Sequence, residues 1–163
     1  MDLKKCSALI SGGGGGLGGA TARRLSELGV AVVLFDPDGG KAERLAAELD
    51  RPCKVVQGDQ NNNAEVGVAI EAAQTLGQFS IVVNTAGAQI PAPHTVTEAG
   101  EAHDLDTFNR MIDNHLTGPF NVSRLCAAAF SKNTADDDGQ RGVIINTSST
   151  AAFEGQMKQV AYS

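Results

Sequence analysis

The sequence predicts an α/β fold built on a doubly wound parallel sheet, and three observations point there. Short β-branched apolar runs alternate along the chain with stretches whose apolar residues recur at helical spacing. Seven of the 19 glycines fall within residues 12–19, between the first apolar run and the first helical stripe. The composition of the 163 residues, 42% hydrophobic and 20% charged, is that of one ordinary globular domain.

The elements follow in order. Cys6-Ser7-Ala8-Leu9-Ile10 is a buried strand entering the glycines. Leu17, Thr21, Leu25 and Leu28 then mark one face of a helix, and Gly29 stands where a left-handed cap is wanted. Residues 30–35 (VAVVLF) form a continuous β-branched run, the pattern of a strand covered on both faces, ended by Asp36-Pro37-Asp38-Gly39-Gly40. Ala42, Leu45, Ala46 and Leu49 give a second helical stripe and Lys54-Val55-Val56-Gln57 a third strand. A third helix carries Val66, Ala69, Ile70, Ala73 and Leu76. Ser80-Ile81-Val82-Val83-Asn84 and Gly142-Val143-Ile144-Ile145-Asn146 are the fourth and fifth strands. Between them, residues 94–104 read as an irregular insertion and residues 105–130 as one long helix bearing Phe108, Ile112, Leu116, Leu125 and Ala129. Strands alternating with helices require right-handed crossovers and hence a parallel sheet. No repeat or linker divides the chain, so residues 1–163 are a single domain.

Composition narrows the function. A net charge of −6 argues against a phosphate-backbone binder, so no nucleic acid is expected as a partner. No apolar run reaches the roughly 20 residues of a membrane helix, and the first residues carry neither a signal nor a transit pattern, which predicts a cytoplasmic protein without membrane contact. Cys6, Cys53 and Cys126 are too few and too far apart for a disulfide framework or a zinc site, and reduced thiols in or near the core are expected. The acidic stretch at residues 134–140 reads as a solvated loop.

The glycine-rich turn, SGGGGGLGG at residues 11–19, draws its weight from its place between a strand and a helix. There the chain must turn with positive φ, the backbone must approach a pyrophosphate without Cβ atoms, and the helix must pack closely on the strand. The helix's free N–H groups and dipole then face the phosphates. GxGxxG fits in two registers, Gly13/Gly15/Gly18 and Gly14/Gly16/Gly19; no lysine follows, which excludes the nucleotide-hydrolase phosphate loop. Asp36, 18 residues past Gly18, can accept both ribose hydroxyls of NAD and repels a 2′-phosphate, and no Arg or Lys stands at residues 13–15 or 37 to compensate one. NAD is the expected cofactor; an Asx turn before Pro37 is the plainer role for the same carboxylate.

Taken together, Ser11-Gly12-x-x-x-Gly16-x-Gly18, Asn84-Thr85-Ala86-Gly87 after the fourth strand, and Ser149 thirteen residues before Tyr162 resemble the short-chain dehydrogenase/reductase family over the entire chain. Within it, residues 139–163 and the insertion before residue 100 are similar to the type 2 3-hydroxyacyl-CoA dehydrogenases. The resemblance implies a Rossmann-type sheet and sets the glycine register at Gly12, Gly16 and Gly18, with Ser11 and Leu17 beside them in the cofactor site. It implies that Asp59, with Gln60 where an aliphatic residue is usual, holds the adenine, and that Asn84, Ala86 and Gly87 stabilise the sheet and line the adenine ribose. It further implies that Ser149 holds the substrate oxygen and Tyr162 moves the proton, on an acyl-CoA or another secondary alcohol. A dimer or tetramer of the complete protein, through the long helix, is implied too.

Two departures stand out. The family's lysine, four residues past the tyrosine, would fall beyond Ser163, as would two further strands; the fold therefore reads as truncated after the fifth strand, a fragment being favoured over a chain with an incomplete site. The second departure is His115, in His115-Leu116-Thr117-Gly118, where the family places a catalytic asparagine. Asn114 is one residue early, about 100° round the helix. His115 is either a tolerated or partly inactivating substitution, or a proton relay of its own. The alternative function is accordingly a dinucleotide-binding or scaffold protein without turnover.

Overall fold

Strands β1 (Cys6–Ser11), β2 (Ala31–Asp36), β3 (Cys53–Gln57), β4 (Gln78–Asn84) and β5 (Val143–Asn146) pair in parallel in the order β3-β2-β1-β4-β5. This is seen in a computed structural model that describes residues 2–88, 90 and 94–163. The chain winds outward from β1 through β2 to β3, then returns to the far side of β1 for β4 and β5. Such a reversal opens a crevice at the carboxyl ends of β1 and β4.

Continuous apolar runs are needed because both faces of the sheet are covered. Leu9, Val33, Phe35 and Val82 face one layer, formed by α3 (Asn63–Gln74) and α5 (Gly118–Phe130) with Val66, Ile70, Val122, Cys126 and Phe130. Their strand neighbours Ala8, Ile10, Val32, Leu34, Ile81 and Val83 face the other, formed by α1 (Gly16–Glu27) and α2 (Gly39–Ala46) with Ala22, Ala42 and Leu45. Every residue of β1 and β2 is buried, whereas the edge strands β3 and β5 are half-buried or exposed.

Three of the α-helices start at a side-chain cap. Asp38 accepts from Lys41 N at the head of α2, Asn62 from Ala64 N at the head of α3, and Asp104 from Thr107 N at the head of α4 (Leu105–Ile112). The hydrogen bond from the Lys41 amide holds the Asp38 carboxyl below its usual value, and those from the Thr107 hydroxyl and amide do the same for Asp104. Helix α1 differs: Gly15 stands at its N-cap, so no side chain caps it, and its first turn holds no acidic residue.

Two helical stripes are corrected. On α1 the buried positions are Gly18, Gly19, Ala22 and Ser26, while Leu17 is 64% exposed and Leu28 is 38% exposed. The helix lies so close to the sheet at its first turn that only small residues fit between them, so size and not apolarity marks its inner face. The long helix is interrupted as well. Between α4 and α5 the residues Asp113–Thr117 form a π turn, closed by Gly118 N–H donating to Asp113 O. The extra residue rotates the stripe, so that Met111, Val122 and Cys126 are buried and Leu116 is exposed. The insertion is partly ordered, since Val96 and Ala102 form an antiparallel bridge. A single turn, α6 (Ala151–Glu154), follows β5 where the sequence signalled no element.

All three thiols are free, with Cys6 and Cys126 buried. Desolvation pushes Cys126 up to about 12 and Cys53 up to about 11. No helix among the described residues is long and apolar enough to cross a membrane, and no group of three or more metal-ligating side chains occurs among them.

Candidate active site

The turn after β1 is shaped by what its glycines lack. Gly12 has φ +75°, and a Cβ on it would stand 2.6 Å from the backbone nitrogen of Ala86, on the loop after β4. A Cβ on Gly18 would overlap the Gly12 carbonyl. These two positions therefore fix the tight turn and the close packing of helix on strand. Gly16 is different, because a Cβ there would meet nothing within 4 Å. The protein itself does not demand glycine at this first residue of α1; what the missing methyl leaves clear is the approach to the uncapped helix N-terminus. The turn is held by Gly12 N and Gly13 N, which donate to Phe35 O at 2.9 and 3.3 Å, and by Gly15 N, which donates to Gly12 O at 3.0 Å.

Asp36 ends β2 against this turn. One carboxylate oxygen accepts from Gly14 N and the other from Asp38 N, each at 2.9 Å, and the residue is 8% exposed. The Asx turn and the tie to the glycine loop thus coexist. The structure also brings three cations to the turn that the sequence reading missed. A crevice of about 300 Å³ is lined by Gly14, Gly15 and Gly16 together with Arg23, Lys41 and Arg44. Lys41 is paired with Asp38 at 3.2 Å and Arg23 with Glu48 at 2.6 Å. The i,i+3 spacing of Lys41 and Arg44 at the start of α2 was the available signal.

At the end of β4, Thr85 N and Oγ1 both donate to Ser11 O, at 2.9 and 2.7 Å, joining the two loops. Asn84 Nδ2 donates to Asn146 Oδ1 at 2.8 Å and Ser123 Oγ at 3.0 Å, so this side chain ties β4 to β5 and α5. Asp59 is exposed, and its Oδ1 accepts from Asn61 N at 2.9 Å. Gln60 turns its side chain away from the crevice surface. Its side chain is buried, and Nε2 donates to Asn114 O at 2.7 Å beneath the π turn.

The reactive candidates come from three further segments. The π turn lays His115 over Gly87, where a Cβ would stand 2.8 Å from His115 Cε1. His115 Nε2 lies 3.1 Å from Ala88 O; a carbonyl only accepts, so Nε2 carries a hydrogen. The Tyr162 ring meets His115 edge to face, with centroids 5.0 Å apart and planes at 82°. Ser149, half-buried after β5, accepts from Ala151 N at 3.2 Å. Among the described residues no hydrogen bond joins Ser149 to Tyr162, so the structure brings Tyr162 to His115 and leaves Ser149 separately held.

Comparison with known proteins agrees with this architecture. Over 162 residues, 99% of this chain, it is 41% identical to a Bos taurus protein named 3-hydroxyacyl-CoA dehydrogenase type-2. It spans 62% of that relative's length. It superposes with TM-score 0.94 on the crystal structure of 3-hydroxyacyl-CoA dehydrogenase type-2 from Mycobacterium avium, at 38% identity, covering 98% of this chain and 63% of that one. It superposes with TM-score 0.81 on 3-ketoacyl-(acyl-carrier-protein) reductase from Brucella melitensis complexed with NADH, at 31% identity, covering 98% and 63%. A family model described as short chain dehydrogenase matches residues 7–163. With the glycine turn, the strand order and the match all in agreement, the chain belongs to the short-chain dehydrogenase family.

Proposed function

We propose that the chain forms a single dinucleotide-binding unit of a cytoplasmic, NAD-dependent oxidoreductase that interconverts a secondary alcohol and a ketone. The substrate class is 3-hydroxyacyl-CoA or a related hydroxysteroid. The observation that carries this reading is the pairing of an uncapped α1, open at Gly16, with the Asp36 carboxylate fixed beside Gly14. Amide donors for a diphosphate and an acceptor for ribose hydroxyls stand at one loop, and these residues fit the cofactor. Asp36 would hold the ribose hydroxyls, the residue 12–18 turn the diphosphate, and Asp59, Ala86 and Gly87 the adenosine. NAD, when bound, supplies the acceptor for the alcohol's hydride.

The remaining chemistry falls to side chains. Ser149 Oγ donates to the substrate oxygen and orients it, and Tyr162 takes the hydroxyl proton as hydride leaves the adjoining carbon. A free phenol is ionised at only about one part in a thousand at neutral pH, so the base needs cationic or hydrogen-bonded support. His115 packs against the Tyr162 ring, and its Nδ1, the nitrogen not engaged by Ala88 O, would be the one to pass protons in a relay of its own. The same reading takes the complete protein to be a homodimer or homotetramer, using Leu105, Leu116 and Phe120, which this helical region leaves exposed.

Stopped-flow measurement of nicotinamide absorbance with NAD and 3-hydroxybutyryl-CoA, on the full reading frame, tests the activity. NADH formation is expected; none would remove the substrate assignment. A second reading, dinucleotide binding without turnover, is favoured by His115 at the asparagine position. Tight NAD binding by calorimetry with no turnover would select it.

A further inference from the structure

In the helical region from Leu105 to Phe130, the π turn and Pro119 together leave the Asn114 carbonyl without a backbone donor in register. Gly118 N–H is committed to Asp113 O across the π turn. In the same register the next carbonyl, Asn114 O, calls on residue 119, which is Pro119 and has no N–H. Gln60 supplies the missing donor: its Nε2 reaches Asn114 O at 2.7 Å from the turn after β3.

The surroundings of Gln60 are built for this bond. Ser11 Oγ approaches its Oε1 at 3.4 Å, and Asn121 Nδ2 holds its backbone carbonyl at 2.9 Å. Gly118 leaves the room, since a Cβ there would stand 2.5 Å from Gln60 Nε2. The amide orientation is settled by chemistry, because Asn114 O can only accept. The carbonyl so capped belongs to the residue directly before His115.

We propose that Gln60 is a positioning residue. By capping the carbonyl that Pro119 leaves without a helical donor, it holds the π turn in the setting that lays His115 across Gly87 and Tyr162. It also links that turn to Ser11 at the end of β1, so the cofactor side and the proton-transfer side of the crevice share one buried amide. This rests on the reading of His115 and Tyr162 as the reactive pair, and it adds a residue whose own side chain stays buried beneath them.

The test uses the full chain with Gln60→Leu, which keeps side-chain bulk and removes the donor, and Pro119→Ala, which adds an N–H in register with Asn114 O. The readouts are the His115 ring resonances followed through a pH titration, and turnover. Gln60→Leu is expected to move those resonances and their midpoint and to lower turnover roughly tenfold. Gln60→Leu combined with Pro119→Ala is expected to restore both. If Gln60→Leu does not fold, Gly118→Ala, whose methyl crowds the same amide, must produce the same ring shift. Unchanged His115 resonances in a Gln60→Leu protein that merely melts earlier would overturn the proposal, as would failure of Pro119→Ala to restore them. Absence of turnover in the unaltered chain would remove the dehydrogenase reading alone, since the ring resonances decide Gln60 independently.

Discussion

The two sides of the crevice are specified in opposite ways. On the β1–β2 side the site is made by main chain: Gly12, Gly16 and Gly18 act through missing side chains, beside strands that are wholly buried. On the β4–β5 side the proposed site is made by side chains, His115, Ser149 and Tyr162, carried by a π turn and by segments that are half-buried or exposed. A diphosphate can be bound by backbone amides, whose positions follow from the fold. Proton transfer needs particular groups held to within fractions of an ångström, and on the reading proposed above those would be placed by a few contacts such as Gln60 to Asn114 O.

The sharpest way to break the first side is Gly12→Val. A β-branched side chain at φ +75° would run into the backbone of Thr85 and Ala86, and both strain and overpacking act at once. A loss of about 4 kcal/mol or more is expected, read as failure to fold or as a large drop in melting temperature. A folded protein of unchanged stability would show that the two loops are not locked as described.

Asp36→Asn keeps the shape and removes the charge. Its single amide oxygen can accept from only one of Gly14 N and Asp38 N, leaving the other facing an NH2 donor, and the ribose hydroxyls would lose their ionised acceptor. NAD affinity is expected to fall about 30-fold, while affinity for NADP rises relative to NAD because Lys41 and Arg44 stand at the same crevice. Calorimetry with both dinucleotides measures this, and an unchanged ratio would remove Asp36 from the selection.

This asymmetry also governs what the sequence reveals. A parallel sheet covered on both faces is legible because apolar residues are contiguous at residues 30–35 and 81–83. The glycine turn is legible because few other structures need so many glycines. The inner face of α1 is misread, since closeness to the sheet selects Gly18, Ala22 and Ser26 over Leu17 and Leu28, while Leu25 packs at its edge. The break in the long helix hides behind a helical pattern, although Pro119 inside that pattern was its local signal. Gln60 is invisible to periodicity altogether, because its partner lies 54 residues away.

Cys126 reports on the packing behind the second side. Its thiol lies under α5, with desolvation raising it from 9.0 to about 12. The unfolded chain then releases its proton first as pH rises, so it binds fewer protons than the native state and stability falls with pH. The contribution is fully present below pH 9.0 and is lost toward pH 12, at about 1.4 kcal/mol per pH unit. Chemical denaturation at a series of alkaline pH values, compared with Cys126→Ala, should show a shallower slope in the variant; equal slopes would mean that α5 admits water.

The smallest structural change asks the finest question. Gly16→Ala adds one methyl where the protein has no atom within 4 Å, at a helical position where alanine is intrinsically favoured over glycine. Stability should therefore hold or rise slightly, in direct contrast to Gly12→Val four residues earlier on the same turn. If the open face of Gly16 is where a diphosphate meets the first turn of α1, the methyl holds it off and NAD affinity falls roughly tenfold. Thermal melting and NAD calorimetry on the same variant separate the two effects. A protein that melts as before and binds NAD as before would leave the glycine without a role in binding, and with it the case that this turn is shaped for a ligand and not only for the fold.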